Sequence, residues 1–138
     1  MKESYVLDAC ALIAYLKKEE GFELLLSFFD RANNEEISLF MHKLNLLEVY
    51  YGFYRDDGNE TAEDVLDDAF SLPITFVDDL GDPLFHEAGR LKATYDISFA
   101  DSLALALAFI KGDPLITSDH HDFEPVEQKE TIKFSWIR

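Results

Sequence analysis

Short apolar runs alternate with longer stretches of helical period along this chain. Ser4 to Leu7 is a β-prone run that stops at Asp8, and Ala9 to Lys18 continues with Leu12, Ile13 and Leu16 on one face. A strand and a helix therefore meet at Asp8. Phe22 to Ala32 reads as a second amphipathic helix, with Leu25, Phe28 and Phe29 among its apolar positions, set off by Gly21 and by Asn33-Asn34. Ile37 to Met41 is a second strand, followed by a helical pattern from Lys43 to Tyr54 in which Leu44, Leu47 and Tyr51 share a face. Asn45 and Glu48 lie three apart in that pattern and project from one side. After Asp57-Gly58, Glu60 to Phe70 is an acidic surface helix, Leu72 to Val77 a third strand, and Pro83 to Tyr95 a helix with proline near its first position. Leu115 to Thr117 and Ile132 to Ile137 are the last two strands, and Ser118 to Phe123 is expected to be a polar loop after the first of them.

One segment differs from the rest. Ile97 to Ile110 is apolar nearly all round, with Leu103, Leu107 and Ile110 at helical spacing, which describes a helix buried in a packed core. Its single carboxylate, Asp101, sits in the first turn. Two accounts fit locally: Ser98 and Asp101 as a capping box, or Asp101 as part of a buried acidic site.

Strands alternating with helices predict an α/β sandwich around a mostly parallel sheet. Ligands of such sheets sit beyond the carboxyl ends of the strands, the rim on which Asp8 and Asp119 fall. At 138 residues, 1–138 reads as a single domain able to bury a sizeable core, and an apolar fraction of 48% supports a compact fold. The formal charge of −16, from 12 basic and 28 acidic residues, argues against a nucleic-acid binder that works through a broad basic patch. A local site with bound cations stays open. The single Cys10 forms no intramolecular disulfide, and no secretory signal or bilayer-length apolar run is visible, which points to the cytoplasm and no membrane role.

Several chemistries find no support. There is no G-x-S-x-G nucleophile elbow, the glycines are too scattered for a phosphate cradle, and one cysteine excludes cysteine-ligated zinc. His120 and His121 are adjacent and so diverge, and loop polarity explains them more simply than zinc binding. Carboxylate chemistry remains. Asp8, Glu48, Asp101 and Asp119 each have a local explanation as a cap, a surface pair or a turn residue, but together they form a pattern. Two carboxylates about 4 Å apart repel by roughly 4 kcal/mol at an effective dielectric near 20, so a converging set must hold protons or cations. Hard oxygen ligands favour Mg²⁺ or Mn²⁺, ions that activate water and offset charge on a phosphodiester.

The stretches Tyr5 to Ile13, Asn45 to Val49, Ile97 to Ala104 and Leu115 to Asp119 together resemble the four ordered acidic motifs of PIN-domain ribonucleases. The closest resemblance is to the VapC-type toxins of toxin–antitoxin pairs. It implies a parallel five-stranded sheet between helices, with Asp8, Glu48, Asp101 and Asp119 as catalytic residues and ligands of Mg²⁺ or Mn²⁺. Asn45, Ser118 and Asp122 are auxiliary positions. The implied activity is endonucleolytic hydrolysis of RNA to 5′-phosphate and 3′-hydroxyl ends, restrained by a small antitoxin, commonly in a homodimer. Lys43, Arg55, Arg90 or Lys92 would guide the strand. Cys10 departs from the pattern, which has Ser or Thr there, and a PIN-like binding module without activity, a non-toxin RNA-processing nuclease and a phospho-receiver domain remain as alternatives.

Overall fold

The computed structural model describes residues 2–138. Five strands form one sheet in which every neighbouring pair runs parallel, in the order β3-β2-β1-β4-β5. They are β1 Glu3–Leu7, β2 Ile37–His42, β3 Thr75–Val77, β4 Leu115–Thr117 and β5 Phe134–Trp136. The helices are α1 Ala9–Leu16, α2 Phe22–Asn33, α3 Lys43–Asp57, α4 Asn59–Ser71, α5 Leu84–Thr94, α6 Phe99–Lys111 and α7 His120–Lys129. The α/β architecture expected from the alternation of patterns is therefore the one observed.

Side-chain alternation along the strands builds two cores. Leu7 of β1, Leu39 and Met41 of β2 and Ile116 of β4 point to one face, where they pack with Leu12, Leu25, Phe29 and Val49 from α1, α2 and α3. Val6 and Leu115 point to the other, against Leu91 of α5, Leu105 of α6 and Phe123 and Val126 of α7. Both faces are covered, which is why the strands read as continuous apolar runs. The α6 helix is buried at every position from Ser102 to Ala108, as its all-round apolarity requires.

Three boundaries differ from the sequence reading, one of them the last strand, which is confined to Phe134–Trp136. The third strand is confined to Thr75–Val77, because Pro73 lacks the donor a ladder needs and Leu72 caps α4 instead. The expected loop from Ser118 to Phe123 is the start of α7. Its polar residues are a capped first turn, and Pro125 inside the helix masks the pattern that follows.

The chain moves outward from β1 through β2 to β3, then returns to the other side of β1 for β4 and β5. The order reverses between β1 and β4. Leu7 pairs with Ile116 there, and the chain leaves both strands toward the same rim.

Candidate acidic site at the switch point

Asp8 leaves β1 at this reversal and is 1% exposed. One of its oxygens caps α1 by accepting the Ala11 amide at 2.9 Å; the other accepts the Thr117 hydroxyl at 2.5 Å. Thr117 is the last residue of β4 and fully buried, and its oxygen also accepts the Asp119 amide at 3.1 Å. One hydroxyl thus ties together the carboxylates of two strand ends. Despite these donors, burial pushes Asp8 up to about 7, and the charges of Asp101 and Asp119 add to the rise.

Asp119 is the N-cap of α7, accepting the Asp122 amide at 3.0 Å. Asp101 is the third residue of α6. Its amide donates to the Ser98 hydroxyl at 3.0 Å, so Ser98 does cap the helix. The return leg of the capping box is weak. Approach of the Ser98 backbone to the Asp101 carboxylate favours its charged form, but burial and the charges of Glu48 and Asp119 prevail and raise it to about 6. The Ser98 hydroxyl caps the helix through the Asp101 amide, leaving the Asp101 carboxylate for the site.

Glu48 comes from the middle of α3 and is raised by partial burial and by the charges of Asp119 and Asp122. Three of the four predicted acids thus lie at helix N-termini, where the helix dipole favours negative charge. Glu48 alone lacks that support. The tightest group is Asp101, Asp119 and Asp122, whose carboxylate oxygens lie within 4.8 Å of one another. Asp122, an auxiliary position by sequence, is therefore central by geometry, while Asp8 and Glu48 border this group and feel its charge. Such an oxygen-only donor set, with Asp101 and Asp119 raised chiefly by burial, fits a hard divalent cation.

Asn45 is fully buried and donates from Nδ2 to the Ala100 carbonyl at 3.2 Å, joining α3 to α6 one turn before Glu48 and one residue before Asp101. Its Oδ1 has no partner among the described residues. Cys10 faces the site: burial raises its thiol strongly, and Asp8, Asp119, Asp101 and Glu48 raise it further, so it stays a neutral thiol. Ser118 contributes its carbonyl, which accepts the His120 amide at 3.0 Å. His120 does not join the carboxylate group, whereas His121 pairs through Nδ1 with the Asp122 carboxylate at 3.0 Å. Of the four cations expected to guide a strand, Arg55 is paired with Asp56 and Arg90 with Glu87 and Glu130, and Lys92 lies over the Phe99 ring. Thr117 is the residue that sequence reasoning missed. A lone threonine ending an apolar strand carries no local sign that its hydroxyl turns toward Asp8, 109 positions earlier.

The sequence profile of the PIN domain matches residues 5–128. The chain belongs to the PIN domain family. No curated protein sequence matches it significantly, but solved structures do. It is similar to VapBC2 from Rickettsia felis, bound to a fragment of its promoter DNA, at 16% identity and a TM-score of 0.73 over 96% of this chain and 98% of that one. Similarity to DNA-bound VapBC from Salmonella typhimurium extends over 100% of both chains, at 19% identity and a TM-score of 0.71. VapC20 of Mycobacterium tuberculosis, a toxin that cleaves the sarcin–ricin loop, aligns over 88% of this chain and 94% of that one at 14% identity and a TM-score of 0.65. At these identities the shared feature is the PIN fold.

Proposed function

We propose that this chain is a VapC-type toxin, a cytoplasmic endoribonuclease dependent on Mg²⁺ or Mn²⁺, with residues 1–138 acting as one PIN domain. Asp8, Glu48, Asp101 and Asp119 are its catalytic and metal-holding residues, joined by Asp122. The observation that carries this reading is the convergence of five carboxylates from four distant parts of the chain on the switch point of a PIN sheet. A divalent cation bound there supplies the positive charge that activates water and stabilises developing charge on a phosphodiester.

The residues divide the remaining work. Asp101, Asp119 and Asp122 offer the closest set of oxygens for the cation. Asp8, held by Thr117 and Ala11, is fixed in direction and shielded from solvent. Glu48 stands on a separate helix and is only half-buried, which suits it to orient water or take up a proton. Asn45 fixes the helix that carries it against α6.

A small antitoxin is the proposed inhibitor and a homodimer the proposed assembly. Exposed apolar surface close to the site supports both. Leu47, Tyr51, Phe85 and Phe99 are each more than half exposed, and a groove of about 520 Å³ runs between α5 and α6 past Leu80, Phe85 and Phe99. Purified protein with Mn²⁺ is expected to cut RNA, and chelation by EDTA to stop it. Asp101→Asn should lower cleavage at least ~100-fold, as expected when a stabiliser of transition-state charge is lost. Equal cleavage by this variant would overturn the assignment.

A further inference from the structure

Three aromatic rings form a continuous stack where β5 meets the start of α7. Phe134 and Trp136 are two apart on β5 and so share a face; their rings lie 5.1 Å apart with planes at 9°. His120 lies flat on Trp136, with centroids 3.9 Å apart and planes at 15°. The stack is rooted in the core, since Phe134 packs at 5.9 Å against Phe123, which is fully buried. The other two rings are fixed in rotation as well: Trp136 donates from Nε1 to Glu127 at 3.1 Å, and His120 is linked through Nε2 to the Arg138 carbonyl at 2.8 Å.

His120 is nevertheless exposed. One face of its ring is covered by Trp136, and no other aromatic ring among the described residues stacks on it, so His120 ends the stack. Trp136 is in register with Thr117, whose hydroxyl holds Asp8. The ring stacked on Trp136 therefore stands on the same rim of the sheet as the carboxylate group.

We infer that His120, backed by Trp136 and Phe134, is a stacking platform for one nucleobase of single-stranded RNA, next to the phosphate that reaches the acidic site. The inference rests on RNA being the substrate, as proposed above. Charge favours such a device. In a chain of net charge −16, Arg31, Arg55, Arg90 and Arg138 are all paired with carboxylates, so no arginine is left free to grip phosphates. Stacking on an aromatic face holds a strand without relying on charge and accepts any base.

The test uses the full chain and a short end-labelled oligoadenylate with methylphosphonate linkages, compared with an abasic oligomer of the same backbone. These linkages are uncharged and are not phosphodiesters, so neither repulsion nor cleavage enters the reading. Fluorescence anisotropy is expected to show binding of the base-bearing oligomer and a much weaker response to the abasic one. His120→Ala should weaken the base-bearing complex roughly 5- to 150-fold, the range for one base–aromatic stack. His120→Phe should restore it, which a loss of folding could not mimic. Equal affinity for the two oligomers, no binding of either, or unchanged binding by His120→Ala overturns the platform. Base-dependent binding by a protein that fails to cut RNA with Mn²⁺ would instead leave the platform standing and remove the nuclease reading.

Discussion

At the scale of single residues, the site is governed by carboxylates kept close to one another and away from water. Asp8 titrates near 7 in the fold against an ordinary value of 3.8, chiefly through burial. Between those values the folded chain holds more protons than the unfolded one, so this residue's contribution to stability falls as pH rises through 7. The cation-free protein should therefore melt several degrees higher at pH 5 than at pH 8, and saturating Mn²⁺ should raise the melting temperature at pH 8 far more than at pH 5. Differential scanning calorimetry with and without Mn²⁺ checks both. Thr117→Val removes the hydroxyl that orients Asp8 while keeping its volume; Mn²⁺ affinity by titration calorimetry should fall about 10- to 100-fold, the usual cost of losing a partner that orients a metal ligand. The four acids were visible in the sequence because each sits beside an abrupt change of pattern, or on an otherwise apolar face. Thr117 was not, because its role depends on a contact between β1 and β4 that no local pattern encodes.

At the scale of elements, α6 is the rigid support of the site. Its apolar body is wedged between the sheet and α5, so the direction of Asp101 follows from how that body packs. Leu105 is fully buried there. Leu105→Ala should cost about 2–5 kcal/mol in a urea melt. Ser98→Ala, which removes only the cap, should cost about 1 kcal/mol. Comparing the two variants' Mn²⁺ affinities would then separate the helix's stability from the precision with which it aims Asp101. The helical periods of α1 to α6 were readable because each repeats over two turns or more. The α7 helix was not: its first turn is polar because Asp119 caps it, and Pro125 falls where the apolar repeat would otherwise declare itself.

For the whole molecule, net charge and topology act in opposite directions. A charge of −16 repels RNA at long range, while the reversal of strand order gathers the acids at one point where cations can offset them. Raising monovalent salt from about 0.01 to about 0.15 M shortens the screening length from about 30 to about 8 Å. At saturating Mn²⁺, kcat/KM on a short RNA should hold or rise over that range. A protein that binds through a basic patch would lose affinity steeply instead. Stopped cleavage assays across a salt series distinguish the two behaviours.

By itself the sequence determined the class of fold and the order of its elements apart from α7, and it singled out four candidate acids, because hydrophobic period and helix-start chemistry are local properties. Only the tertiary structure decided how those acids are ranked. It drew Asp122 into the closest group, recruited Thr117, placed Cys10 against the cluster and stacked His120 on Trp136. Each of these depends on which strand ends become neighbours. That follows from the packing of both sheet faces at once, a property of the whole chain that no single stretch of it carries.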